Sequence, residues 1–232
     1  PNEQEMEAPF INYNIAATRK AFALDAIDAR VLSGDATLTR EDIEANPETI
    51  NNVRLWDHGP LLDTFGQIQA IRSYYDFASV DNDRYVINGE YRQTMLSSRE
   101  LNSSSLSNRT WPNERLVFTH GYGLALGPVN QVTAEGLPVL FLKDLPPSSE
   151  VDLSVEEPSV YFGELSNDYV IVNTNTREFH YPQGDDNIYS SYEGTGGVPI
   201  GGLFRKLLFS LRFRSLNVLI SEQLTASSRI LI

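Results

Sequence analysis

Apolar residues recur at helical spacing in three parts of the chain. Phe10, Ile11, Ile15, Ala16 and Phe22 predict a helix over 9–24, with Pro9 in its first turn. Leu61, Leu62, Phe65, Ile68 and Ile71 form one stripe of a helix over 60–71, and LFRKLLFSLRFRSLNVLI (203–220) is the third such pattern. Between the first two, Thr39 followed by Asp42 has capping-box spacing for a short helix. Asn46-Pro47 interrupts that helix and opens another turn.

The period changes after Tyr75. RYVINGEYRQTML (84–96) carries Asn88-Gly89 between two β-favouring segments, the sequence of a tight hairpin. Short strands are predicted at 124–132, 137–142, 159–163, 169–174 and 178–181, each bounded by Gly, Pro, Asn or Asp. Residues 1–8 read as a polar linker, 97–110 as a Ser/Asn-rich surface excursion, 144–158 as an acidic loop and 191–202 as a glycine-rich loop. No internal repeat is visible. Helices followed by antiparallel hairpins and a last helix make the fold class α+β. Residues 9–232 read as part of one domain, with a sub-boundary near 72–84.

Composition narrows the partners. With 31 acids against 18 bases the net charge is −13, which argues against nucleic acid, because phosphate binding is driven by Lys and Arg. There is no cysteine, so disulfides, thiol nucleophiles and Cys-ligated zinc are excluded. No stretch is long and apolar enough for a spanning helix, and no signal peptide is present. The chain begins at Pro1 rather than Met and reads as a piece of a longer protein.

The motifs that suggest chemistry mostly fail on their second requirement. FTHGYG (118–123) resembles an esterase oxyanion turn, but no Gly-x-Ser-x-Gly elbow exists to supply the nucleophile. Gly121 and Gly123 are better read as a tight turn, with His120 as a structural residue that fixes it. GTGGVPIGG has Pro199 where a dinucleotide loop needs its third glycine. Asp81 and Asp83, and Asp185 with Asp186, are the candidate ligands for a hard cation, although each cluster supplies only part of a calcium shell and a solvated turn is the favoured reading. No two histidines lie within helical or hairpin reach, which weakens any histidine metal site. Asp57, Asp63, Asp76 and Glu90 lie among Trp56 and Tyr75, a setting suited to sugar stacking. These six are the candidate ligand-binding residues, and no cofactor is expected. In 203–214 the bases Arg205, Lys206, Arg212 and Arg214 border a wide apolar stripe. An amphipathic helix on the core is the first reading, and a helix on a lipid surface is the alternative. The stripe and the apolar Ile230-Leu231-Ile232 are expected to be covered by something further: later residues, another subunit or a membrane surface.

Longer words of sequence carry a resemblance. RLWDHGPLLDTFGQIQAIRSYYDF, DRYVINGEYRQTMLSSREL, TWPNERLVFTHGYGLALGPVNQVTAEGLPVLFLKDLPP, VYFGELSNDYVIVNT and EGTGGVPIGGLFRKLLFSLRF occur in order, and the opening PNEQEMEAPFINYNIAATRKAF fits the same pattern. Together they resemble an uncharacterised family of very large bacterial and cyanobacterial multi-pass membrane proteins, with departures at His58 and Gly59. The resemblance implies an extracytoplasmic domain at the cell membrane, attached to the membrane part of the same polypeptide, with a homo-oligomer left open. It carries no established activity and therefore no catalytic residues. A binding or assembly module is the expected function, and a carboxylate-dependent enzyme acting on envelope glycan or lipid is the alternative.

Overall fold

The structure, a computed structural model, describes residues 2–31, 34, 37–165, 168–184 and 186–232. Residues 1–45 and 46–232 form two compact units. The first contains helices α1 (Glu3–Ala21) and α2 (Arg40–Glu44), and none of its described residues is buried. α1 begins at Glu3, inside the stretch that reads as a linker. Glu3 and Glu5 in its first turn and Arg19 and Lys20 in its last suit the helix dipole at both ends. The capping box of α2 is formed as its spacing predicts: Thr39 accepts from the Asp42 N–H at 3.2 Å, and Asp42 accepts from the Thr39 N–H at 2.9 Å.

The second unit opens with α3 (Pro47–Ile50) and α4 (His58–Gln69), then becomes antiparallel. Its strands are β1 (Tyr75–Asp76), β2 (Asp81–Ile87), β3 (Glu90–Ser98), β4 (Glu100–Leu101), β5 (Gly121–Tyr122), β6 (Leu124–Pro128), β7 (Leu142–Lys143) and β8 (Ser148–Ser149). They continue with β9 (Ser159–Val160), β10 (Val170–Val172), β11 (Glu178–Gln183), β12 (Asp186–Ser190) and β13 (Val198–Pro199). Helices α5 (Leu203–Phe213) and α6 (Asn217–Ile220) precede β14 (Arg229–Leu231). The α+β class is as predicted.

The largest sheet has the order β2-β3-β6-β7-β8. Its hairpin pairs Ile87 with Glu90 across Asn88 and Gly89, whose φ values of +52° and +79° are those a two-residue turn demands. α4 lays Leu61 and Phe65 on this sheet against Phe77, Met95, Ala125 and Val129. A second core gathers Leu116, Ile171, Ile200, Val218 and Ile230 around the sheet β10-β14-β13. Between these lies an aromatic cluster of Tyr75, Tyr122 and Phe179, fed by the pairs β1-β4, β5-β9 and β11-β12.

Two local readings are corrected. The 97–110 stretch is not a surface excursion at its start, because Ser97, Arg99 and Glu100 are buried. Arg99 reaches into the unit and is satisfied there by three backbone oxygens and the Gln69 side-chain oxygen, which composition alone does not reveal. The 203–220 pattern is two helices, broken at Arg214, which takes the left-handed conformation with φ +50°.

Candidate functional site

The best-defined polar site starts at Glu178, the first residue of β11 and 2% exposed. Its Oε2 accepts from the Thr119 hydroxyl and the Tyr161 hydroxyl, both at 3.0 Å. Its Oε1 accepts from the backbone N–H groups of Asn173 (3.1 Å) and Tyr192 (3.4 Å). Burial of a carboxylate is tolerable only when donors surround it in this way.

From Glu178 the protons can be placed one by one. Thr119 Oγ1 lies 2.9 Å from His120 Nδ1, and the hydroxyl has one hydrogen, which Glu178 takes. Nδ1 of His120 must therefore carry a hydrogen and donate it to Thr119. Burial, with His180 nearby, pushes His120 down to about 3, so the ring is neutral and its Nε2 is an acceptor. That nitrogen is 3.0 Å from His180 Nδ1, which must be the donor. Burial also lowers His180, against the opposing pull of Glu157, so this ring too is neutral at pH 7. Its Nε2 is left as a lone pair, with no hydrogen-bond partner among the described residues. The relay Glu178–Thr119–His120–His180 thus fixes both tautomers.

His180 owes its position to an irregularity of β11. Phe179 pairs with Tyr189 and Tyr181 with Ile188, so His180 is the extra residue of a β-bulge. Bulges re-aim a side chain out of the strand's alternation. Tyr122 meets the ring edge-on at 4.4 Å, and Tyr75 Oη donates to the His180 carbonyl at 3.3 Å. His120 stacks on Tyr161 at 4.4 Å.

His180 lines an open cavity of about 540 Å³ whose other walls include Glu157, Ser159, Tyr161, Tyr192 and Glu193. Among the described residues no Lys or Arg lines it. Hydrogen bonds from Ser159 hold Glu157 below the usual carboxylate range, so it is charged at neutral pH. Burial, then the Glu178 charge, pushes the Tyr161 phenol up, which keeps it a neutral donor.

The turn before the site explains FTHGYG. A Cβ on Gly121 would lie 2.2 Å from the Arg99 carbonyl oxygen, and Gly123 has φ +77°. His120 is buried as a structural histidine would be, but its ring bonds to Thr119 and His180 rather than bracing the turn. No two histidines lie within helical or hairpin reach in the sequence, yet the residue before β5 and the bulge of β11 bring His120 and His180 within hydrogen-bond distance from positions 60 apart.

The six ligand candidates chosen from sequence are not brought together. Trp56 packs against the first core and donates to the Gln131 carbonyl at 3.2 Å. Asp57 caps α4, Asp63 is exposed on that helix, and Asp76 accepts from the Phe77 N–H at 2.9 Å. Glu90 pairs with Arg92 on the surface. Tyr75 alone reaches the site, through the His180 backbone. Among the described residues no three His, Asp or Glu side chains gather in a way that could hold a metal. Asp83 instead accepts from Tyr85 Oη and the Arg84 N–H, both at 2.8 Å, while Asp81 and Asp186 begin strands. Asp185 lies outside the described residues. Sequence reasoning missed Glu178, Thr119, Tyr161 and Tyr192, and the EFHY run of β11 was the only local trace of them.

No solved structure matches the chain. No helix among the described residues is long and apolar enough to cross a membrane. UPF0182 proteins from Pelotomaculum thermopropionicum and Pelobacter propionicus are 49% and 52% identical to it over its whole length. One from Geobacter sulfurreducens is 51% identical. In each case the chain spans 26% of the relative's length. The family model described as an uncharacterised protein family, UPF0182, matches residues 1–232, and the chain belongs to that family.

Proposed function

We propose that the 46–232 unit is a ligand-binding module of a larger cell-envelope protein, facing the extracytoplasmic side, and that its ligand is a small organic cation. The observation that carries the binding reading is the His180 imidazole, whose Nε2 has no partner among the described residues, lining a cavity that has carboxylates and aromatic rings but, among the described residues, no Lys or Arg. Glu157 and Glu193 supply negative charge, Tyr161 and Tyr192 supply ring faces for cation–π contact, and the imidazole accepts a hydrogen bond. An ammonium that donates hydrogen bonds satisfies all three. The envelope placement rests on the family resemblance.

Titration calorimetry of the 1–232 chain with spermidine, ethanolamine and glucosamine, against glucose and acetate, tests the ligand class. Amines should bind, and Glu157→Gln with Glu193→Gln should weaken them at least tenfold. Equal binding of glucose would end the cation reading while leaving the cavity as a binding site. Alkaline phosphatase fused after residue 232 of the full-length protein tests the placement, and should be active only if that end lies outside the cytoplasm.

The relay favours one further reading, an enzyme. A neutral imidazole whose second nitrogen is oriented by a buried carboxylate through hydrogen bonds is the arrangement of a general base. On an envelope glycan or lipid it would take a proton from an attacking hydroxyl or water beside Glu157. Product release from an amino-sugar substrate that stops in His180→Ala and rises with pH through the imidazole range is the result this reading requires.

A further inference from the structure

α5 is covered on one side only. Lys206, Phe209, Ser210 and Phe213 recur at i, i+3, i+4 and i+7 and are the residues of the helix that are buried or half-buried. Phe209 and Phe213 pack on the second core, and Phe213 stacks on Tyr169 at 4.2 Å. The other side is apolar and open. Leu203, Phe204 and Leu211 are 75%, 71% and 69% exposed, with Leu207 and Leu208 beside them at 44% and 48%. At 100° per residue these five cover an arc of roughly 140°. Leu216 and Ile220, around α6, add two more exposed apolar side chains. The sequence reading that this stripe joins the core is therefore corrected: the core takes the other face.

Charge singles out the same segment. From Gly194 to Ser221 there is no Asp or Glu, although the chain carries 31 of them. The segment does hold Arg205, Lys206, Arg212 and Arg214. Arg205 and Arg212 fall together along one border of the apolar arc, and both are exposed. An acidic protein carries no acid along the stretch where these Leu, Phe and Arg side chains face outward together.

We propose that the α5–α6 segment docks on the surface of an anionic lipid bilayer, with its Leu and Phe side chains at the acyl boundary and Arg205, Arg212 and Arg214 against lipid phosphates. Eleven residues make a helix of about 16 Å, half of what crossing the hydrocarbon requires, and one face is already committed to the protein core. Such a helix lies in the interface plane. A second copy of the chain is the poorer occupant, because two-fold pairing would bring the same arginine border near itself. The proposal is independent of the cavity.

Flotation of the 1–232 chain tests it, using vesicles of phosphatidylcholine alone and with a quarter phosphatidylglycerol. The chain should float with the anionic vesicles and stay behind with the neutral ones. Arg205→Gln with Arg212→Gln should weaken that binding roughly thirtyfold. Leu207→Ser with Leu211→Ser should abolish it, and both pairs should leave the chain folded with at most a small loss of melting temperature, since all four side chains are exposed. That small loss reflects Leu207, which is 44% exposed, and the one bond Arg205 gives up to the Pro199 carbonyl. A chain that stays with the buffer in both cases overturns the proposal. So does a dimer, seen by light scattering, that Leu207→Ser with Leu211→Ser splits while lipid has no effect.

Discussion

Arg99, between β3 and β4, and Glu178, at the start of β11, are both buried charges in the 46–232 unit, and their surroundings differ in one respect. Every bond of Arg99 ends on a fixed group. Nε donates to the Gln69 carbonyl at 2.7 Å, one terminal nitrogen to Gln69 Oε1 at 3.1 Å, and the other to the carbonyls of Tyr122 at 3.0 Å and Asp144 at 3.4 Å. The guanidinium also lies over the Phe77 ring. It ties the end of α4 to β5 and to the turn after β7. Burial lowers Arg99 only to about 10, so it remains charged at pH 7. The bonds of Glu178 lead instead, through Thr119 and two imidazoles, to a nitrogen with no partner among the described residues. Both charges pay for their desolvation in hydrogen bonds. A closed set of partners marks a structural joint, and a set with one open end marks a place where something from solution can bind.

The sharpest way to break this comparison is at Arg99. Arg99→Leu leaves the carbonyls of Gln69, Tyr122 and Asp144 without their donor, and should cost roughly 3–5 kcal/mol in denaturant unfolding. A loss under 1 kcal/mol would show that Arg99 is not the joint described.

Acid should act on the other region. His120 sits at about 3 in the folded chain against an ordinary 6.5, so the unfolded state binds protons first as the pH falls. The contribution is fully present above about pH 6.5 and is lost progressively below it. Between about pH 6.5 and 4.5 His120 alone should remove about 2 kcal/mol, and His180, also lowered, acts in the same direction. Melting curves of the chain and of His120→Gln should converge as the pH drops. Parallel curves would mean that this imidazole is not held neutral.

Glu178→Gln should cost about 1–3 kcal/mol, and it carries a more specific sign. The amide oxygen must take the side of the Asn173 and Tyr192 N–H groups, which places its NH₂ on Thr119 and Tyr161. Thr119 then donates to His120 Nδ1, and both rings change tautomer. Nitrogen NMR should report the hydrogen of His180 on Nδ1 before the substitution and on Nε2 after it. An unchanged His180 would falsify the relay.

The smallest effects belong to the carboxylates singled out from sequence. Asp63→Ala and Glu90→Ala, both exposed, should shift stability by under about 0.5 kcal/mol and leave amine binding intact.

Local chemistry was legible in the sequence and distant pairing was not. The Asn88-Gly89 turn, the Thr39–Asp42 box and the Gly121–Gly123 turn each depend on residues within a few positions, and each appears where expected. β6, β9 and β10 begin within a residue of their predicted starts but are shorter: β9 and β10 stop where their partner strands stop, and β6 stops at Pro128 opposite Thr94 in mid-β3. β12 was missed because its Asp-Asn opening reads as a turn, and it forms only against β11. The site was hidden for the same reason. Thr119 and Glu178 are 59 positions apart, and nothing around either one names the other. The bulge that turns His180 outward is a property of two strands, invisible in one.

β14 lies between β10 and β13 and bonds to both. On a ribosome this order imposes a delay. β10 emerges roughly sixty residues before the strand that pairs with it, which at ordinary rates of synthesis is about 3 to 12 seconds. Through that interval Ile171 and Ile200 have no Ile230 to pack against, and the edge of β10 is open to any other nascent chain. The unit cannot close from its N-terminal side as it is made. The sheet β10-β14-β13 stays without its middle strand until β14 has emerged.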